Sequence, residues 1–116
     1  MRHNSKKFTL GREAGPRKSL MRNLTESLIL HDSIKTTTAK AKALRRVAEP
    51  LITKARKNTL AARREALKVL YTEDAVKRLM EVVGPKYKER DGGYTRIIKL
   101  PNRKNDAAEM SRIELV

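Results

Sequence analysis

Lysine and arginine are the only chemically capable side chains this 116-residue chain holds in quantity, 28 of them against 13 acids. Such side chains bind anions, and a net charge of +15 on so small a body asks for a polyanionic partner. Nucleic acid is the first candidate and an anionic membrane surface the second. Groups that could do covalent or acid–base work are scarce. His3 and His31 are too few and too far apart in sequence to suggest a metal site, and no HExxH, CxxC or carboxylate-rich loop accompanies them. No GxxxxGK[ST] or GxGxxG is present, and no serine sits in a nucleophile elbow. Asp91-Gly92-Gly93 could cradle a phosphate, yet no helix follows to lend its dipole, so it reads better as a turn opening a hairpin. The expectation is a binding protein: no enzyme, no cofactor, no metal and no small-molecule substrate.

The cations are unevenly spread. Residues 1–57 hold 15 Lys+Arg and 4 acids, whereas residues 58–116 hold 13 and 9. The first fifteen residues carry Arg2, Lys6, Lys7 and Arg12 but only Met1, Phe8, Leu10 and Ala14 as apolar side chains. That is too little apolar surface to offset the entropy of ordering, so residues 1–15 read as a basic arm that orders on a partner. Residues 16–116 read as one domain, which the length also favours.

The elements that must hold these cations follow from periodicity. Pro16 suits a helix start, and Leu20, Leu24 and Leu28, with Met21 beside them, form one stripe with Arg17, Lys18 and Arg22 off it. The helix fades near His31-Asp32-Ser33. Ile34–Thr38 is a short β-branched strand whose threonines can cap a second helix. That helix has the strongest pattern, with Leu44, Val47, Ala48, Leu51, Ile52 and Ala55 on one face. Lys40, Lys42, Arg45, Arg46, Lys54, Arg56 and Lys57 take the other, and Pro50 predicts a bend. A third helix over Leu60–Tyr71 would turn Leu60, Leu67, Leu70 and Tyr71 inward. A fourth begins at Thr72, carries Val76, Leu79, Met80 and Val83, and ends at Gly84-Pro85 through a left-handed glycine cap. Tyr94–Leu100 and Ser111–Val116 read as a long-looped antiparallel hairpin.

Exclusions narrow the partner. Four aromatics, 3% of the chain, are too few for modules that stack bases on aromatic platforms, so backbone recognition through phosphates fits better. Duplex DNA stays open as a partner on charge alone. A membrane surface fits poorly, since the chain has no Trp and no apolar run nears the ~20 residues of a spanning helix. Zero cysteines exclude a disulfide framework and suit a reducing compartment, and no secretory h-region opens the chain.

An ordered series of short matches points further. Met1-Arg2-His3, Arg22-Asn23 and Ser27-Leu28 are joined by Ile34-Lys35-Thr36-Thr37 and Lys40-Ala41-Lys42. Leu44-Arg45-Arg46-Val47, Glu49-Pro50-Leu51-Ile52-Thr53 and Gly84-Pro85 follow. Gly92-Gly93-Tyr94-Thr95-Arg96-Ile97 with Lys99, and the closing Ile113-Glu114-Leu115-Val116, complete the series. Together they span nearly the whole chain and resemble ribosomal protein seventeen of the bacterial large subunit. The chain departs from that pattern at Asn4, Ala14-Gly15-Pro16, Ala43, Asn105 and Glu109.

The resemblance implies an α+β fold of about four helices on a small mixed three-stranded sheet, with an extended basic arm. It implies a cytoplasmic, structural role in the ribosome. Its partners would be large-subunit ribosomal RNA, near the outer end of the peptide exit tunnel, and neighbouring ribosomal proteins. Resemblance and charge together select the RNA-binding residues. Arg2, His3, Lys6, Lys7 and Arg12 lie on the arm, and Arg17, Lys18, Arg22 and Asn23 continue along the first helix. Lys35, Thr36, Lys40, Lys42, Arg45 and Arg46 surround the second helix start, and Tyr94, Arg96 and Lys99 lie on the Gly-Gly strand. Phosphate and sugar contacts are their expected role, with Tyr94 able either to stack on a base or to pack in the core.

Overall fold

The computed structural model describes residues 10–116. Arg2, His3, Lys6 and Lys7, and most of the expected arm with them, lie outside the described residues. Helix α1, Ala14–His31, starts two residues ahead of Pro16. Proline there is its third residue, still among the four N–H positions that no helical carbonyl reaches. Its buried face is Met21, Thr25, Leu28 and Ile29, one position around from the expected leucine stripe. The Thr25 hydroxyl reaches that face without cost because it donates to the Met21 carbonyl at 2.7 Å. Asp32 ends the helix in the left-handed region, φ 64°, with its N–H on the Leu28 carbonyl.

Strand β1, Ser33–Thr37, leads directly into α2, Thr38–Ala55, whose cap is the Thr37 hydroxyl accepting from the Lys40 N–H. Pro50 lies within α2, where it removes the bond to the Arg46 carbonyl but does not end the helix. Leu44, Ala48 and Ile52 are fully buried, since α2 is the element against which α1, α3 and the sheet all pack.

Helix α3, Leu60–Val69, is capped by Thr59 and turned differently from expectation. Ala62, Ala66 and Leu70 face the core, while Leu60, Leu67 and Tyr71 are 64%, 50% and 47% exposed. Large side chains at 62 and 66 would hold α3 away from α2; alanines let the two backbones come close. Helix α4, Glu73–Arg78, is capped by Thr72 and runs without interruption into a π-helical turn, Leu79–Val83, and a last turn, Gly84–Lys86. Gly84 is therefore right-handed, φ −55°, and not the left-handed cap that its pairing with Pro85 predicts. Its reason is space, because a Cβ there would stand 2.8 Å from the Ala55 carbonyl oxygen at the end of α2.

Strands β2, Thr95–Leu100, and β3, Met110–Leu115, form the expected antiparallel hairpin. The sheet order is β1-β3-β2 and both pairings are antiparallel, which corrects the mixed sheet implied by the resemblance. β1 and β2 do run the same way, but β3 lies between them and no parallel ladder forms. One face of the sheet, with Thr36, Thr95, Ser111, Ile113 and Leu115, is buried, and α2 packs against β2 and β3. The Thr38 and Ser111 hydroxyls satisfy each other across that contact at 2.7 Å. The β2–β3 loop is held by Arg103, two of whose guanidinium nitrogens donate to Asp106 at 2.9 and 2.6 Å. This clamp keeps the Asp106 carboxyl well below its ordinary range.

Charged side chains also lock the helices. One Glu26 oxygen on α1 accepts from the Tyr71 N–H, the Thr72 N–H and the Thr72 hydroxyl, at 3.0, 2.8 and 3.0 Å. Arg78 on α4 donates to the Ile29 carbonyl and to Asp32, at 2.7 and 2.8 Å. Glu26→Ala should cost about 1 kcal/mol in a urea melt, the full value of charged hydrogen bonds being reduced by partial contact with water. A melt unchanged from the parent would show that the α3–α4 corner holds itself.

Candidate nucleic-acid interface

Three helices bring cations from distant parts of the sequence to one place. Arg17, Lys18 and Arg22 of α1, Arg46 of α2 and Lys68 of α3 line a groove of about 690 Å³ where these helices meet. Its apolar lining is Ala14, Met21, Ala43, Val47 and Val69, and no acid is among the residues that line it. The short side chain at Ala43 keeps the groove open on the α2 side, and Gly15 does so on the α1 side.

Arg22 is held on two sides. Its Nε donates to the Val69 carbonyl at 2.9 Å, and its guanidinium carbon stands 4.0 Å from the centre of the Tyr71 ring. The exposure of Tyr71 acquires a purpose here: the ring supports a cation from outside instead of filling the core. Arg12 and Arg17 are tied more loosely, through backbone carbonyls of Leu10 and Arg12. Lys18 and Asn23 are exposed on α1.

A second basic surface lies on the open face of the sheet. In register, Lys35 of β1 stands opposite Arg112 of β3, which stands opposite Ile98 of β2. Arg96 is on the same face and pairs at 3.1 Å with the half-buried Glu114, while its own side chain stays exposed. Lys99 is exposed opposite Ser111 at the strand's other side. On α2, Lys42 and Arg45 are exposed and Lys40 half-buried. The Arg45 Nε donates to the Thr95 hydroxyl, and that hydroxyl donates in turn to Glu49, whose carboxylate also accepts the Thr95 N–H. The one acid of α2 is thus spent on starting β2, which leaves the helix's outward charge positive.

Two expected contact residues are withdrawn by burial. Tyr94 is fully buried and packs against Tyr87 with ring centres 5.1 Å apart, so its ring cannot stack on a base. Its hydroxyl reaches Thr53 and the Arg90 carbonyl. Thr36 points inward opposite Ser111, because strand alternation that exposes Lys35 must bury its neighbour. Two residues were missed. Arg112 was legible, since the 111–116 alternation already assigns it to the face away from Ile113. Lys68 was not, because its place at the groove depends on how α3 is turned. Among the described residues no group of three or more His, Asp or Glu could hold a metal ion, and no helix is long and apolar enough to cross a membrane.

The fold and this surface define a small basic α+β protein with cations gathered at a helical groove and across an open sheet face. The chain belongs to the ribosomal protein L17 family, whose model matches residues 20–116. It is 51% identical over 116 residues to the large ribosomal subunit protein bL17 of Fusobacterium nucleatum, covering 100% of both chains. The proteins of the same name from Desulforamulus reducens and Desulfitobacterium hafniense strain DCB-2 are 50% and 51% identical to it. Those matches cover 91% and 92% of this chain and 95% and 96% of theirs.

Proposed function

We propose that this chain is a structural constituent of the large ribosomal subunit, in the cytoplasm. It binds large-subunit ribosomal RNA through phosphate contacts, near the exterior of the peptide exit tunnel and beside other large-subunit proteins. The observation that carries the reading is end-to-end similarity, at 51% identity, to a protein named for that particle. The charge supports it physically, since Lys and Arg in excess position a protein on folded RNA by displacing counterions. In this reading residues 1–15 are an arm bound into RNA through Arg2, His3, Lys6, Lys7 and Arg12. The folded body adds Arg17, Lys18, Arg22, Asn23, Lys35, Lys40, Lys42, Arg45, Arg46, Arg96 and Lys99. The particle is tested by sedimentation: the tagged chain should travel with large subunits in a sucrose gradient, and its confinement to the top fractions would refute the role. Deleting residues 1–15 should weaken binding to the isolated RNA and flatten the logarithmic salt slope by about 3, on up to four arm cations at roughly 0.7–0.9 each. An unchanged slope would remove the arm from the interface.

A further inference from the structure

The groove between α1, α2 and α3 combines two chemistries that a phosphate backbone alone does not need. Its rim is cationic at Arg17, Lys18, Arg22, Arg46 and Lys68, and its floor is apolar at Met21, Val47 and Val69. A duplex presents phosphates on a convex surface, which satisfies a rim but leaves such a floor wet. An apolar protein side chain would fill the floor but bring no negative charge to the rim. One object carries a flat, largely apolar face with a phosphate on either side of it, and that is a nucleotide turned out of its stack.

We propose that this groove takes one unpaired nucleotide of the ribosomal RNA. Its base lies against Met21, Val47 and Val69, and its flanking phosphates lie on Arg17, Lys18 and Lys68. The assignment rests on the RNA-binding reading above and adds a base-holding pocket to it. Three features support it. About 690 Å³ lies within the roughly 300–1,000 Å³ typical of sites that enclose a small organic group. No acid lines the groove, and the exposed pair that Lys68 makes with Glu65 at its edge, 3.3 Å, competes little with a phosphate. Arg22 is fixed before any ligand arrives, by the Val69 carbonyl on one nitrogen and the Tyr71 ring 4.0 Å from its guanidinium carbon. A guanidinium already immobilised offers a stacking plane with little further entropy to lose.

Val47→Trp in the full-length chain tests this, because it fills the groove and leaves every charge in place. Circular dichroism and a thermal melt establish that the variant is folded. Binding to the folded large-subunit RNA transcript should weaken about tenfold, the scale of one lost base stack, with the salt slope changed by less than about 1. Wild-type affinity in Val47→Trp overturns the groove assignment while RNA binding by the parent chain still stands. A parent chain that fails to bind the transcript overturns the RNA reading and the groove with it. The second test does not depend on how Val47→Trp folds. A photoreactive benzophenone side chain replaces the exposed Lys68, and the protein is irradiated in assembled subunits. A crosslink to a single unpaired nucleotide is the expected product. A crosslink to residues 1–9 of this chain, or to another protein, assigns the groove to that segment and overturns the proposal.

Discussion

Replacing Tyr94 with alanine is expected to lower folding stability by about 4 kcal/mol, the range for deleting a buried aromatic side chain. Several groups depend on that ring. It is fully buried, it packs on Tyr87, and its hydroxyl joins Thr53 of α2 to the Arg90 carbonyl of the segment entering β2. The two tyrosines also meet the chain end, since the Val116 N–H donates to the Tyr94 carbonyl and the Tyr87 hydroxyl donates to the Val116 carbonyl. Domains of this size commonly have only about 5–15 kcal/mol in total, so the variant should be partly unfolded when warm. Tyr94→Phe keeps the ring and loses the hydroxyl, for a cost of about 1 kcal/mol. A urea melt measures both. RNA affinity of the Phe variant should match the parent; a large loss of affinity in a folded Phe variant would return the residue to the interface.

Gly84→Ala is expected to cost about 2 kcal/mol, against the sign that helix propensity alone assigns. Alanine is better than glycine inside a helix by about 1 kcal/mol. Here the added Cβ would meet the Ala55 carbonyl oxygen at 2.8 Å, its carbon at 3.2 Å and the Leu79 carbonyl oxygen at 3.2 Å. All three are backbone atoms, which cannot swing aside as a side chain tip can, so either the Gly84–Lys86 turn or the end of α2 must move. The melting temperature should fall by roughly 10 °C, at about 4–8 °C per kcal/mol for a domain near 100 residues. Gly15→Ala is the control. Nothing lies within 4 Å of its added Cβ, and the melting temperature should stay level or rise slightly. A stable Gly84→Ala variant would mean that the contact between the end of α2 and the Gly84–Lys86 turn is softer than its geometry indicates.

Gly84 also marks where reading the sequence stops short. A glycine before a proline is the ordinary mark of a helix end, and nothing local distinguishes a cap from a place where another helix crosses. The same holds for α3. Leu60, Leu67 and Tyr71 are the largest apolar residues there, so apolarity alone turns them inward. The observed packing uses Ala62 and Ala66, because the α2 surface rewards close approach more than bulk. By contrast β1, β2, β3 and the capped starts of α2 and α4 were legible, since β-branched alternation and threonine capping act between neighbours in sequence. The basic residues were recognisable as a group, but their assembly was not. Arg17, Arg46 and Lys68 share one groove only because three helices converge, and Lys35 meets Arg112 only because β3 takes the middle of the sheet.

That middle position has a consequence for how the protein is made. Ser33 is paired with Glu114 and Thr95 with Leu115, so every ladder in the sheet uses residues 110–115. Synthesis delivers this segment after the other two strands, and until it arrives β1 and β2 have no partner strand and no ladder between them. The sheet therefore closes only once residues 110–115 have been made, whatever the helices have done earlier. A chain ending early at residue 109 loses not one strand but all three. Arrival of the third strand and closure of the sheet are the same event, which makes a copy terminated before residue 110 a poor competitor for the intact protein's place.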